Sequence, residues 1–416
     1  MAEMQRKKQE SGASNICLLT ETYYPITGGG ETQARVLAAG FAAAGSATNV
    51  LTRRTDSNLP RSEPMDGAML WRLAPAGPGH LKKWGLIFSA FIRLLRLRSH
   101  YDVILVGGYR VLGIPSVIAG RLLGKPCILK ADSIGEFSGE FFNPGLKRFR
   151  LRYDRFPINI ALAMRNTILR RADAFIAISS VIADELRANG VDAERISSIP
   201  NSVNIERFSP ASAAEKTQLR DTLSIPRDAQ VGVYTGRLAS TKGLPLLLQS
   251  WGSIVERHPD ALLLLVGAGG VGLQNCETEL RSFVNNNSLE RYVRFTGSVN
   301  NVHHYLQASD FFVFPTEREA FGISVIEALA CGLPVVTTAT GGIRDIVTDR
   351  DNAIVVPVDD EKALGRAVET MLQGGDAIES MAKVGKRLAT ERYSETKVLQ
   401  LYKQLVADLA SAKSNG

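Results

Sequence analysis

The feature that most constrains this 416-residue chain is an alternation of short apolar, strand-like runs with helical patterns, continued almost from end to end. An apolar run bounded by glycine or polar turns fits a strand buried on both faces, and a helix must then carry the chain back to begin the next parallel strand. Repetition of that unit builds parallel α/β sheets. One series predicts strands near Ile16–Thr20, Thr48–Thr52, Val103–Gly107, Cys127–Ala131, Ala174–Ile178 and Ile196–Ile199. A second series, after the Pro-Asn-Ser turn at Pro200, predicts strands near Val231–Thr235, Leu262–Val266, Val293–Thr296, Phe311–Phe314, Pro334–Thr337 and Ile354–Val356. Helical patterns from about Glu361, Ile378 and Glu395 follow with no strand after them. Two doubly wound, Rossmann-like domains are therefore expected, with the site in the cleft between them, because ligands of open parallel sheets sit outside the carboxyl ends of the strands.

Composition removes other classes. With 45% apolar and 22% charged residues the chain is neither disordered nor fibrous. Long uncharged stretches such as Val36–Thr52 and Ala261–Cys276 are broken by glycine and fall short of the roughly 18 apolar residues a spanning helix needs. The first 15 residues carry basic groups without an apolar run behind them, so a solvated tail is expected there, and cytoplasm is the expected compartment. Cys17, Cys127, Cys276 and Cys331 form no Cys-x-x-Cys, against a zinc site or a disulfide framework.

The net charge of +7 is uneven: residues 1–200 hold 27 Lys+Arg against 17 Asp+Glu, or +10, and residues 201–416 hold 22 against 25, or −3. Lys82–Arg98 has five basic residues and no acid, and Lys147–Arg171 has eight with only Asp154 opposing. Interleaved with Trp84, Phe88 and Phe91, or with Phe149 and Phe156, these segments suit an anionic membrane surface or an anionic substrate; a solvated basic face is the plain alternative. Nucleic acid is not an expected partner, since no binding module accompanies the charge.

Three loops carry candidate chemistry. Gly28-Gly29-Gly30-Glu31 follows the first strand and opens a helix, where glycine lets backbone amides approach a phosphate. Gly236-Arg237-Leu238-Ala239-Ser240-Thr241-Lys242-Gly243 sets two cations near a strand's carboxyl end, fit to stabilise the charge that grows on a leaving diphosphate. It is not a Walker loop, which would end in Gly-Lys-Ser/Thr. In Glu317–Ala328, Glu319 sits in a loop and Glu327 lies eight positions on, inside an apolar helix between Val325, Ile326 and Leu329. The helix dipole alone accounts for an acid near a helix start, but a buried glutamate has no such account.

In order and spacing, these loops together with Ala172-Asp173, Ser179, Pro200-Asn201-Ser202-Val203-Asn204, Phe208, Pro210 and Phe321-Gly322-Ile323 resemble the retaining GT-B glycosyltransferases, specifically glycosyltransferase family four, over about residues 14–395. The resemblance implies a GT-B fold with an acceptor domain over 14–200, a nucleotide-sugar domain over 201–392 and a C-terminal helix over 393–416 packing back on the first domain. It implies catalytic roles for Arg237, Lys242 and Glu319, with the two cations on the donor diphosphate and Glu319 on the donor sugar; Asp132, which departs from the family pattern, is a further catalytic candidate from its own chemistry, able to orient the sugar or an acceptor hydroxyl. Donor contacts are implied for Gly28, Gly29, Gly30, Gly236, Phe321, Gly322, Ile323 and Glu327, the last on the ribose hydroxyls. The implied co-substrate is a nucleotide diphosphate sugar, a UDP-sugar before GDP-mannose, with no cofactor and no required metal. The basic segments add a lipid-linked glycan acceptor and a peripheral position at the inner membrane face as expectations.

Two departures stand out. Lys130-Ala131-Asp132-Ser133 places an aspartate where the family often has histidine, and Asn201-Ser202-Val203-Asn204 replaces the family's Asn-Gly-Val-Asp. Three other strings compete for attention. Gly267–Gly272 matches Gly-x-Gly-x-x-Gly after a strand, the basis of an alternative reading as an NAD-dependent dehydrogenase, but the next strand tip, Thr296-Gly297-Ser298, lacks the ribose-binding acid. Asp349-Arg350-Asp351 reads as solvated charge, and His303-His304, being adjacent, should point to different faces of a helix. A nucleotide-sugar epimerase on the same fold is a further alternative.

Overall fold

The computed structural model describes residues 14–26, 28–77, 80–143, 145, 152–270 and 274–414. The N-terminal tail, Thr27, the 147–151 part of the second basic segment and Val271-Gly272 lie outside the described residues, as do the side chains of residues 80–84. The chain divides into two compact units, Met1–Asn201 with Val398–Gly416, and Ser202–Lys397.

The first unit is built on β1 (Ile16–Thr20), α1 (Gly29–Ala43), β2 (Thr48–Arg53), β3 (Ser62–Met65), β4 (Ala68–Leu73), α2 (His80–Arg96), β5 (Val103–Gly107), α3 (Tyr109–Leu123), β6 (Cys127–Lys130), α4 (Ile158–Leu169), β7 (Ala174–Ala177), α5 (Ser180–Ala188) and β8 (Ile196–Ser198). Its sheet has the order β3-β4-β2-β1-β5-β6-β7-β8, parallel except for β3. Every residue of β1 and of β5 is buried, as a parallel sheet covered on both faces requires.

The β3–β4 hairpin departs from the sequence expectation, which has no strand between Thr52 and Val103. Asp66 and Gly67 both adopt positive φ, 53° and 77°, in the two-residue turn between them, and Met65 pairs with Ala68. Pro64 and the half-exposed pattern of β3 hide it from an apolar-run criterion, because an edge strand tolerates proline and needs only one buried face. The other strand boundaries fall within one residue of expectation.

The second unit contains α6 (Ala213–Thr222), β9 (Gln230–Thr235), α7 (Leu244–Val255), β10 (Ala261–Val266), α8 (Glu277–Asn286), β11 (Val293–Gly297), α9 (Val302–Ala308), β12 (Phe311–Phe314), α10 (Ile323–Ala330), β13 (Val335–Thr338), β14 (Ile354–Val356), α11 (Glu361–Gln373) and α12 (Asp376–Tyr393). Its strands run parallel in the order β11-β10-β9-β12-β13-β14. Helix α6 starts at a reciprocal capping box, Ser212 with Glu215, which satisfies two otherwise free amides.

The last helix, α13 (Glu395–Ser414), joins the first unit's core: Val398, Tyr402 and Val406 lie in one buried cluster with Ile16, Leu37, Phe41 and Leu105. Among the described residues no helix is long and apolar enough to cross a membrane.

Candidate active site

In the second sheet the strand order reverses at β9, whose neighbours are β10 and β12. A reversal of this kind opens a crevice outside the carboxyl ends of the two strands. The loops that leave β9 and β12 there carry Gly236, Arg237 and Lys242 on one side and Glu319, Phe321 and Gly322 on the other. Lys242 Nζ lies 2.7 Å from Glu319 Oε2, with side chains 13% and 21% exposed. The structure thus joins two candidates that stand 77 residues apart in the chain.

Backbone stitching sets that meeting. The Glu317 amide donates to the Thr241 carbonyl at 3.0 Å, and the Thr316 hydroxyl donates to the same carbonyl at 3.1 Å. The hydroxyls of Thr338 and Thr340 donate to the Thr316 carbonyl, the latter at 3.0 Å. The Glu319 backbone is clamped from the other side: Gly342 N donates to its carbonyl at 3.0 Å, and a Cβ on Gly341, at φ 54°, would lie 1.8 Å from that same oxygen. Only glycine fits there. Glu319 Oε1 also accepts from the Ala320 amide at 3.0 Å.

Arg237 is exposed, and no hydrogen bond or ion pair engages its guanidinium among the described residues. Its carbonyl accepts from the hydroxyl of buried Tyr234 at 2.7 Å, which ties the loop to the core. Gly322, at φ 111°, starts α10, and Ile323 is the helix's first residue. The Phe321 side chain is core, edge-on to Tyr393 at 5.8 Å, so this stretch contributes backbone and not a ring to the crevice. Glu327 follows one turn into α10 among buried Val325, Ile326, Ala328 and Leu329. Burial, opposed by Arg207, pushes its carboxyl up to about 8.

The first sheet reverses at β1, between β2 and β5. Gly28 caps α1 in extended conformation, and Gly29 and Gly30 form its first turn. Asp132 stands beside them: its Oδ2 would be 3.7 Å from a Cβ on Gly30 and 3.3 Å from one on Gly108. The carboxylate is also ion-paired with buried Lys130. Glu136, which the sequence reading passed over, is fully buried four residues on, and neither of its carboxylate oxygens accepts a hydrogen bond from a described residue. Arg110 Nε is 3.4 Å away, yet burial still pushes the Glu136 carboxyl up to about 8. Glu185 holds this loop, accepting from the amides of Gly135, Phe137 and Ser138 at 2.7–3.0 Å. A second acid in the Lys130–Glu136 loop was the available signal.

The competing strings resolve locally. The amide of Gly269, which a dinucleotide phosphate would need, donates to Glu277 Oε2 at 2.8 Å. A Cβ on Gly267 would lie 1.9 Å from the Gly236 carbonyl, so that glycine lets two backbones touch. Asp349–Asp351 is an exposed turn in which Asp349 Oδ1 accepts from the Val355 amide at 2.9 Å. The His303 and His304 rings do not point apart as expected; their centroids are 4.2 Å apart, with Arg207 donating to His303 Nδ1 at 3.2 Å and so holding that ring.

Residues 215–388 match the family described as Glycosyl transferases group 1, and residues 28–202 match the Glycosyl transferase 4-like domain. A D-inositol 3-phosphate glycosyltransferase 2 of Catenulispora acidiphila is 28% identical over 367 residues, which is 82% of this chain and 83% of that protein. The D-inositol 3-phosphate glycosyltransferase of Xylanimonas cellulosilytica is 29% identical over 232 residues, so the match spans about half of each chain, 54%. Among solved structures, HepE of Anabaena in complex with UDP and glucose aligns with a TM-score of 0.74 at 20% identity, over 95% of this chain and 99% of that one.

Proposed function

Because the chain belongs to the group 1 glycosyl transferases and has the GT-B fold, we propose that it moves a sugar from a nucleotide diphosphate donor to an acceptor hydroxyl with retention of anomeric configuration. A UDP-sugar is the favoured donor, supported by the UDP held in the HepE structure, with GDP-mannose second. The observation that carries the reading is the Lys242–Glu319 pair at the β9/β12 reversal. On donor binding Lys242 exchanges Glu319 for the diphosphate, Arg237 adds a second cation, and both interactions strengthen as the glycosidic bond breaks and charge collects on the leaving group. Glu319, freed of the lysine, takes the sugar hydroxyls. Glu327 takes the ribose diol, and its raised proton affinity lets it donate as well as accept. The leaving phosphate oxygen accepts the acceptor's proton, and no metal is needed to neutralise the diphosphate. In the first unit the same reading gives the Gly28–Gly30 amides a phosphate to hold and Asp132 an acceptor hydroxyl to orient. The basic face of that unit fits a glycan or glycolipid acceptor at the inner membrane surface.

The test is Lys242→Ala, assayed for UDP-sugar hydrolysis and transfer with circular dichroism as the check on folding. Loss of one such electrostatic contact lowers turnover about 10²- to 10³-fold. Turnover within a factor of about three of the parent sinks the mechanism.

A further inference from the structure

At the carboxyl ends of β2 and β4, a cavity of about 350 Å³ is lined by Arg54, Arg61, Arg72, Arg93 and Arg96, and no acid is among the lining residues. The five arginines come from four separate segments: the end of β2, the turn before β3, strand β4, and the last turns of α2. The pairing of Arg53 with Leu73 and the fold around it bring them together. A solvated charge run spreads its cations; here the fold converges them against their mutual repulsion.

Two of the five are structural. Arg54 donates to the Leu59 carbonyl at 2.8 Å, and buried Arg72 pairs with Glu63 and donates to the carbonyls of Pro60 and Tyr24 at 3.3 and 3.2 Å. The Tyr24 contact ties the cavity to the loop that leaves β1. The guanidinium groups of Arg61, Arg93 and Arg96 accept no such assignment: none has an acid or carbonyl partner among the described residues. Arg93 lies over the Trp71 ring at 4.5 Å, which fixes its plane. Burial and the nearby Arg96 charge hold that guanidinium below its ordinary value, the condition of a cation lacking its counter-ion.

The geometry points to a binding site for a ligand with clustered phosphate charge, a diphosphate or two neighbouring phosphate esters, whose oxygens Arg61, Arg93 and Arg96 take in paired hydrogen bonds. Resting on the transferase reading above, this ligand is the anionic end of the acceptor. The phosphates belong either to a small phosphorylated molecule or to a lipid headgroup.

The experiment uses the full chain carrying Lys242→Ala, so that the donor-site lysine contributes nothing. Inositol hexakisphosphate is titrated by calorimetry, and vesicles of phosphatidylglycerol in phosphatidylcholine are assayed by flotation. The double variant Arg61→Gln/Arg96→Gln is expected to weaken binding about tenfold or more and to flatten its salt dependence, whereas Arg98→Gln, just beyond the cavity, changes it by less than about twofold. Capture of the soluble probe assigns a small phosphorylated molecule; capture of vesicles alone assigns a headgroup. An equal loss in Arg98→Gln, an unchanged double variant, or binding of neither probe overturns the site. UDP binding to the chain with Lys242 intact is measured alongside: its absence, with the arginine site intact, removes the transferase reading and leaves the anion site standing.

Discussion

At the scale of single residues, Glu136 has the clearest pH signature. Its carboxyl ordinarily titrates near 4.3 and is pushed up to about 8 by burial, against the pull of Arg110. Between those values the folded chain keeps a proton that the unfolded chain has released, so stability conferred below about pH 4.5 is lost as pH rises through about 8. Glu136→Gln has no such proton. Its unfolding free energy, measured by urea denaturation, is expected to gain on the parent's from pH 5 to pH 8, by up to a few kcal/mol, and to run parallel above pH 9; parallel curves from pH 5 onward refute the assignment. Sequence shows each candidate acid and base but not its partner. Lys242 and Glu319 are legible as separate loop residues, while their contact depends on β9 lying beside β12, a pairing of Gly232 with Phe311 and Val233 with Phe312 across 79 residues of chain. The arginine cavity is illegible for the same reason, since four segments contribute to it.

At the scale of elements, the Glu319 loop depends on a partner that is also a loop. Gly341 lets the turn after β13 touch the Glu319 carbonyl, and an added methyl there would displace the loop by an ångström or more. Gly341→Ala should therefore lower kcat/KM for the donor by about a hundredfold with the second unit still folded, because displacement on that scale costs catalysis before it costs stability. An unchanged kcat/KM would show that the loop's position is immaterial. Helix α13 offers a stability test: Tyr402 is 1% exposed within the first unit's core, and Tyr402→Ala should cost about 3–5 kcal/mol by urea denaturation. A loss below about 1 kcal/mol would mean that the helix is only loosely docked. Buried parallel strands such as Ile16–Thr20 are readable as apolar runs because both faces need apolar residues. The β3 edge strand is not, and its signal lay in the Asp66-Gly67 turn.

For the whole molecule, each unit has its own core, so heat should unfold them in separable steps. A ligand that binds one folded unit raises that unit's transition alone, by about 2.7 kcal/mol at a hundredfold excess over Kd. UDP is expected to raise the transition of the Ser202–Lys397 unit, read by calorimetry; a rise confined to the other transition would place the donor in the wrong unit. The return of α13 bears on biosynthesis. Since Val398, Tyr402 and Val406 complete the hydrophobic centre around Ile16 and Leu105, a ribosome must finish the whole intervening unit before the earlier one can close. Until then the nascent N-terminal portion carries an open apolar groove, a natural client for chaperones, and the later-made unit, contiguous in sequence, is free to become native first.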